Sequence, residues 1–448
     1  RPGHLALVSG PTDGMRVGSQ LTLRVTHPLL AAFGPSVRRR GTAGPLGLTW
    51  QARHTELVPG VRFVDEQVRG PFRQWRHEHL FADGPGGSTV ITDRVTWQLP
   101  ARAPFGLDET LVDRELSAMF AYRERQLRDD LALHARLRGA GPAGGGATQG
   151  HHVLVAGASG LIGRQVCAAL TTGGHRVTRL VRRAAAGSDE VEWRPGESPL
   201  DPGLLDGLDA VVNLAGHTIG GRFTEGNKRR ILSSRLAVTD TLARAITAHG
   251  GDVALVQASA IGCYGPRRPG EVLTEDSSFG AGFLADVVRQ WEAAAAPASS
   301  AGARTVLLRT GIVLSESGGA LAPQVPLFRL GVGGRLTDAD AWLSWVGLDD
   351  AARAYVHAIV RTDVEGPFNL VAQEPVTAGT FARTLADVLH RPAALPVPGF
   401  GPALVLGREG KDQLIDTDQR VSSAALSASG FGFAQPKLTG ALRHVLLR

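Results

Sequence analysis

The chain has 448 residues, of which 43% are hydrophobic and 20% charged, and its formal net charge is +6. A chain of this length is too long to fold around a single hydrophobic core, which predicts two or three domains. The positive charge comes almost entirely from arginine, because Lys228, Lys411 and Lys437 are the only lysines. The arginines are scattered along the chain, which is typical of a bacterial, GC-rich genome and argues against nucleic-acid binding.

No apolar run approaches the roughly 20 residues of a membrane span, and no signal peptide is recognised. The only cysteines are Cys167 and Cys263, too few for a disulfide framework and consistent with a reducing compartment. We therefore expect a soluble cytoplasmic protein without a membrane partner. Because the sequence starts at Arg1 and not at Met, we also expect the first domain to be N-terminally incomplete.

Residues 1–138 are rich in strand patterns. Alternating apolar and polar residues predict an antiparallel meander, with strands at 20–26, 46–56, 61–69, 72–81 and 88–99. A long helix is predicted over 108–137. Its expected apolar face consists of Val112, Leu116, Met119, Phe120, Leu127 and Leu131.

Residues 139–150 are rich in glycine and predict a flexible linker. Beyond it, residues 151–448 alternate strands and helices, which predicts an α/β fold with a doubly wound, Rossmann-type parallel sheet. The predicted strands are 152–156, 176–181, 210–214, 254–259 and 305–309. Helical patterns occupy 164–172 and 238–248.

A glycine motif lies between the first of these strands and the following helix. Gly157 permits a tight turn, Gly160 a close approach to a pyrophosphate, and Gly163 close packing of helix on strand. The helix N-terminus offers unpaired N–H groups to an anion. The predicted cofactor-binding residues of this turn are Gly157, Ser159, Gly160, Leu161, Ile162 and Gly163.

The second strand ends at Arg182, where an NAD-binding fold usually carries an acidic residue for the ribose 2′-hydroxyl. An arginine there favours the 2′-phosphate of NADP(H), although a solvated surface arginine is the alternative. Small residues at the carboxyl ends of the next strands predict further cofactor contacts, at Asn213, Leu214, Ala215, Gly216 and Ser259.

Residues 152–445 resemble the epimerase-like, atypical or extended short-chain dehydrogenase/reductases of the NAD-dependent epimerase/dehydratase superfamily. The motifs that carry the resemblance lie at 157–163, 209–216, 259–265, 273–276, 291–294, 308–314, 328–331, 343–350 and 366–369. The family implies an NADP-binding Rossmann domain with a small C-terminal substrate lobe. The first domain, through 50–56 and 69–79, resembles the α+β helix-grip fold of the SRPBCC superfamily, which implies a hydrophobic ligand.

The proton relay of short-chain dehydrogenases needs a Tyr followed four residues later by a Lys. No such pair exists here. In the helix where the family carries it, the corresponding residues look like Leu284 and Val288, both of which are apolar. As catalytic substitutes we name Ser259, which would orient a carbonyl, and Tyr264, which would donate a proton or form a wall against the nicotinamide. Further alternatives are Glu275, Asp276 and Lys228, each of which also fits a structural or solvated role.

His77 and His79 flank Glu78 and share one face of a strand. Because the sequence supplies no evident third ligand, we predict no metal site here and expect packing or polar roles.

The leading interpretation is an NADP(H)-dependent oxidoreductase that acts on a small carbonyl, alcohol or nucleotide-sugar-like substrate. The alternative is a non-catalytic NADP(H)-binding sensor whose N-terminal domain holds a hydrophobic ligand. A third alternative makes that domain a packing or dimerisation unit, which would give a homodimer.

Overall fold

The structure is a computed structural model that describes residues 5–9, 15–25, 48–101, 108–138, 150–392 and 400–448. Contacts divide the chain into two units, residues 2–120 and residues 121–448. This division falls inside one long helix and precedes the linker that composition predicts, most of which (139–149) lies outside the described residues.

The first unit contains a six-stranded antiparallel meander whose spatial order follows the sequence. Its strands are β1 (Leu5–Ser9), β2 (Gln20–Val25), β3 (Leu48–Val58), β4 (Arg62–Arg69), β5 (Gln74–Asp83) and β6 (Thr89–Gln98). A short 3₁₀ helix, Pro85–Gly87, precedes β6, and helix α1 (Glu109–Arg138) follows it. Five of these strands confirm the prediction. The predicted ends at 26 and 46–47 lie outside the described residues, and β1 was not predicted.

One face of this sheet carries an aromatic core. Trp50, Phe72 and Trp75 are buried, and the rings of Trp50 and Trp75 meet edge to face at 4.7 Å between centroids. Val112 and Leu116 of α1 belong to the same cluster. The helix therefore covers one face of the sheet, as alternation of apolar and polar residues along the strands requires.

The second half of α1 departs from its predicted apolar face. Leu127 and Leu131 are 44% and 52% exposed, whereas Gln126, Asp130 and His134 are buried. Helical periodicity places these three polar residues on one stripe, and their burial is possible because each has a polar partner. An apolar pattern cannot reveal such a face, so this part of the prediction was wrong.

The second unit is built on a seven-stranded parallel sheet with the order β17-β13-β11-β10-β7-β8-β9. Its strands are β7 (His152–Ala156), β8 (Arg176–Val181), β9 (Glu190–Glu192), β10 (Ala210–Asn213), β11 (Ala254–Ala260), β13 (Thr305–Thr310) and β17 (Gly366–Leu370). The five predicted strands are confirmed within one residue at each end. The order reverses beside β7, which creates the crevice where such sheets bind ligands.

Helices connect these strands. They are α2 (Leu161–Thr172), α3 (Glu225–His249), α4 (Phe283–Ala293), α5 (Ala296–Ser300) and α7 (Leu348–Val360). Two 3₁₀ helices, Pro202–Leu205 and Ile261–Tyr264, complete the connections. The helices pack on both faces of the sheet around two clusters of buried apolar side chains.

The C-terminal part forms a further cluster of buried apolar residues that includes Phe328, Trp345 and Leu385. Short strand pairs join it to the parallel sheet, namely β12 (Arg267–Leu273) with β19 (Asp418–Val421), β14 (Ile312–Leu314) with β16 (Trp345–Gly347), and β15 (Trp342–Leu343) with β18 (Val376–Thr377). The remaining helices are α6 (Gln324–Arg329), α8 (Ala378–Leu389), α9 (Phe400–Leu414), α10 (Ala424–Ala428) and α11 (Leu438–Val445). Among the helices that the structure describes, none has the length and apolarity needed to cross a membrane.

Burial of His357 in α7 makes stability depend on pH. Burial lowers the pKa of His357 to about 4, below its value of about 6.5 in an unfolded chain. The unfolded chain therefore binds one more proton between these values, and the His357 contribution to stability is lost as pH falls from 6.5 towards 4. We expect His357→Gln to remove up to about 3 kcal/mol of this loss, measured by urea unfolding at several pH values. Equal pH dependence in both proteins would contradict the assignment.

Candidate functional site

The turn after β7 is closed by backbone contacts that only glycine allows. Gly157 has a φ of 82°, and a Cβ added to it would lie 2.6 Å from the carbonyl carbon of Leu214. A Cβ on Gly163 would lie 2.2 Å from the Gly157 oxygen. Two strand ends and a helix start therefore meet here without side chains between them. Such a cradle leaves room for a ligand to approach the backbone.

The N-terminus of α2 is open at this turn. Gly160 is the N-cap residue and provides no side chain to cap the helix, so the first N–H groups remain available to an anion. Ser159 is exposed beside it, and Leu161 is half-buried. Ile162 instead packs on the apolar core, so its side chain supports the turn from below.

Asn213, at the end of β10, is completely buried. Its amide nitrogen donates to Thr239 at 3.0 Å and Gln257 at 2.9 Å, and its oxygen accepts from the backbone nitrogen of Ala215 at 3.1 Å. These three contacts are all with protein groups. It therefore holds the segment 214–216 in place beside Gly157, and the backbone of that segment is the part that faces the cradle.

Arg182 is exposed just after β8, and it has no ion pair or hydrogen bond with any residue that the structure describes. Its neighbour Arg183 instead makes a two-pronged contact with Glu190, with both N–O distances 2.7 Å. That guanidinium holds the pKa of Glu190 at about 2. Asp189 pairs with Arg179. Both acidic groups near the end of β8 are thus engaged by other arginines, and Arg182 is left as the available cation.

Sequence reasoning missed Arg235 in α3. Its guanidinium lies over the Trp291 ring, 5.0 Å from the centroid, and its Nη1 donates to the carbonyl oxygens of His217 and Ile231. Burial lowers its pKa to about 10, which leaves it charged at neutral pH. No described carboxylate pairs with it. A Cβ on Gly216 would lie 3.3 Å from its Cζ, so an uncompensated positive charge borders the 214–216 segment.

Ser259 belongs to a buried polar network. Its hydroxyl donates to Glu292 at 2.5 Å, and the Glu292 carboxylate forms a two-pronged ion pair with Arg309, with both distances 2.9 Å. The side chains of Glu292 and Arg309 are 9% and 6% exposed. Ser259 is 3% exposed and faces α4. In this arrangement its hydroxyl is occupied by Glu292.

Tyr264 is fully buried within the same network. Its hydroxyl donates to Asn369 at 2.7 Å and accepts from Arg309 at 3.2 Å. Burial raises the pKa of Tyr264 to about 12. In this arrangement two protein groups engage the hydroxyl of Tyr264, and its role as a proton donor or as a wall against the nicotinamide stays a prediction.

Two of the other catalytic candidates, Glu275 and Lys228, are also engaged by protein groups. A Glu275 carboxylate oxygen accepts from the backbone nitrogen of Asn369 at 2.7 Å, which supports its alternative role as a loop contact. Lys228 pairs with Glu225 and Glu409. Asp276 is exposed. Val288, one of the two positions that resemble the missing Tyr and Lys, is buried in an apolar cluster, so it provides no proton relay.

The strand order, the glycine cradle and the open helix N-terminus define the class of Rossmann-type nucleotide-binding folds. Residues 153–370 match the family described as NAD dependent epimerase/dehydratase, and residues 397–445 match a domain of unknown function, DUF1731. An epimerase family protein of Mycobacterium bovis is 40% identical over 66% of this chain and 98% of its own length.

Two solved structures extend this similarity. A nucleoside-diphosphate sugar epimerase from Corynebacterium glutamicum is 32% identical, with a TM-score of 0.75 over 99% of this chain and 83% of its own. Human epimerase family protein SDR39U1, solved with NADPH, is 31% identical, with a TM-score of 0.59 over 66% of this chain and 98% of its own. The chain therefore belongs to the NAD-dependent epimerase/dehydratase family, in its atypical short-chain dehydrogenase/reductase branch.

Proposed function

We propose that this protein is an NADP(H)-dependent oxidoreductase that exchanges hydride with a small carbonyl, alcohol or nucleotide-sugar-like compound. The observation that carries the proposal is the glycine cradle at the crevice of the parallel sheet, with Arg182 exposed at the end of β8 and without an ion pair to any described residue. A nicotinamide cofactor would supply the hydride. The relative solved with NADPH supports this cofactor.

Charge supports the same assignment. The N-terminus of α2 has no capping side chain, and Arg235 borders the 214–216 segment without a carboxylate partner among the described residues. Even a half-buried cation such as Arg235 is favoured by a nearby anion. The phosphates of a dinucleotide, or an anionic substrate, would provide such an anion. The residues present thus fit the cofactor that the family uses.

Removal of the Arg182 charge is expected to change cofactor preference. A charge-assisted contact to the 2′-phosphate contributes about 1.5–3 kcal/mol, so Arg182→Ala should weaken NADPH binding by roughly 10- to 100-fold. NADH lacks this phosphate, and its affinity should stay nearly unchanged. Calorimetric titration of both cofactors measures the ratio. The matched control is Arg176→Ala, an exposed arginine at the opposite end of β8, which should leave both affinities unaltered. Equal losses for both cofactors would contradict the proposal.

Hydride transfer itself requires a separate test. The purified chain is incubated with NADPH and a panel of aldehydes, ketones and nucleotide sugars, and with NADP⁺ and the corresponding alcohols. Oxidoreductase activity predicts a change in the absorbance of reduced nicotinamide with at least one class. Tight NADPH binding without turnover on the whole panel would refute the catalytic part and retain the cofactor part.

A second candidate is a non-catalytic NADP(H) sensor. It is favoured by the burial of Tyr264 and by the engagement of the Ser259 hydroxyl by Glu292, together with the missing Tyr–Lys pair. In that case the N-terminal unit would hold a hydrophobic ligand or form a homodimer contact. Light scattering and thermal unfolding, each with and without NADPH, test it. Stabilisation by NADPH is expected of either candidate, because any ligand of the folded state raises its stability. An assembly state that does not respond to NADPH would therefore count against the sensor.

A further inference from the structure

Three histidines and two aspartates stand side by side on the sheet of the first unit. Cross-strand pairing places His54 opposite Asp65, Asp65 opposite His77, and His79 opposite Asp93. Because side chains of directly opposed residues point to the same face, the register of four consecutive strands brings all five together. We call this group the His–Asp cluster.

The cluster faces the aromatic core and is not on the charged side of the sheet. His77 packs edge to face on Phe120 of α1, with 5.3 Å between centroids, and His79 stacks on Phe63 at 3.9 Å. The opposite face carries Arg76, which pairs with Glu66 and Glu78. The five polar residues are therefore set into the face that carries the apolar core of this unit.

The contacts within the cluster form a chain of alternating imidazoles and carboxylates. His79 Nε2 lies 3.4 Å from an Asp65 oxygen, and His79 Nδ1 lies 2.7 Å from an Asp93 oxygen. His77 Nε2 lies 3.0 Å from the same Asp93 oxygen. One ligand atom each from Asp65, His77 and His79 can be chosen so that all three lie within 4.8 Å of one another. Such spacing surrounds a volume the size of one metal ion.

The histidines of the cluster are buried. His54, His77 and His79 are 5%, 5% and 7% exposed. His54 Nδ1 and an Asp65 oxygen are in direct contact. The carboxylate partners of these histidines, Asp65 and Asp93, are 18% and 27% exposed, so imidazole nitrogens and carboxylate oxygens meet where water has little access, as the ligands of a metal site do.

We propose that the first unit binds one divalent transition-metal ion of the Zn²⁺ class, with Asp65, His77 and His79 as ligands. Imidazole nitrogen and carboxylate oxygen are ligands that such ions prefer, and three protein ligands with an open position are typical of zinc sites that also bind water or a further ligand. Asp93 is a positioning residue, because it contacts the Nδ1 of His79 while Nε2 faces Asp65, the pairing that commonly orients a metal-bound imidazole.

This proposal departs from the prediction that no metal site exists at His77 and His79. The sequence shows no third ligand near them, because Asp65 is twelve residues before His77. Antiparallel pairing of β4 with β5 places that carboxylate directly opposite His77. The three ligands can therefore be recognised together only when the register of β4 and β5 is known.

The test measures metal in the full chain, purified without an affinity tag, stripped with a chelator and then dialysed against buffered Zn²⁺. Mass spectrometry of the bound metal should find one zinc per chain. Co²⁺ loaded in its place should show the visible absorption of a site with nitrogen and oxygen ligands. His79→Gln and Asp65→Asn should abolish stoichiometric binding, and Asp93→Asn should weaken it by roughly 10- to 100-fold.

The matched control is Glu78→Gln, which lies between the two ligands on β5 but contacts Arg76 and Arg94 on the other face; it should bind zinc like the wild type. Circular dichroism checks that each variant is folded. If the ligand variants do not fold, the wild-type stoichiometry and cobalt spectrum still decide the question. No zinc in the wild-type chain, or equal zinc in a folded His79→Gln, would overturn the proposal and leave the cluster as a metal-free ion-pair network.

Discussion

Gly157→Ala is expected to abolish measurable NADPH binding and to destabilise the second unit by about 2–5 kcal/mol. Alanine at a φ of 82° is strained, and its Cβ would lie 2.6 to 2.8 Å from the backbone of Leu214 and Ala215. Either the turn or the 214–216 segment must move, and both border the proposed cofactor cradle. Thermal unfolding and calorimetric titration with NADPH measure the two effects.

Gly174→Ala separates conformational strain from steric contact. Gly174 also has a positive φ, 85°, but an added Cβ would meet no atom within 4 Å. It should cost about 1–2 kcal/mol and leave NADPH affinity unchanged. If Gly157→Ala retained wild-type affinity, the cradle could not be the cofactor site.

The second large effect is expected at the buried pair of Arg309 and Glu292. Arg309→Met leaves the Glu292 carboxylate without its partner at a site where both side chains are less than a tenth exposed. Breaking such a pair costs about 3–5 kcal/mol. It also removes a donor to Tyr264 and one to the Glu275 carbonyl. Urea unfolding of the full chain measures the loss.

Two comparisons define the cause of that loss. The double variant Arg309→Met/Glu292→Met removes both charges and should recover much of the stability, because an apolar pair carries no unpaired charge. Arg289→Met, which breaks an exposed pair with Asp286, should cost less than about 1 kcal/mol. A double variant as unstable as Arg309→Met alone would show that packing, and not the unpaired charge, dominates.

The parallel sheet and its turn were predictable because each depends on local signals. Apolar runs such as 152–156 and 176–181 coincide with β7 and β8 to the residue. Gly157 indicates the turn because no other residue accommodates both a φ of 82° and the close approach to Leu214. Such features are determined within a short stretch of chain, where residue type and spacing carry the information.

Features that depend on distant partners were not predictable. Asn213 was expected to contact a ligand, but Thr239 and Gln257 bind its side chain. Tyr264 stands near the carboxyl edge of the sheet, yet Asn369 and Arg309 bury its hydroxyl. A sequence does not distinguish a polar residue that binds a substrate from one that binds another side chain, because only the fold determines which partner lies nearby.

The contacts of the second half of α1 limit where this chain can be truncated. Arg353 is 1% exposed, and its guanidinium lies 3.2 Å from Asp130 and 3.5 Å from Asp129, both on α1. Truncation at the glycine-rich segment would remove these two carboxylates and leave Asp350 and Asp349 as the acidic groups that act on a buried cation. A fragment that contains the Rossmann unit therefore has to begin upstream of Asp129, although the glycine-rich composition of residues 139–150 makes that segment look like a domain border.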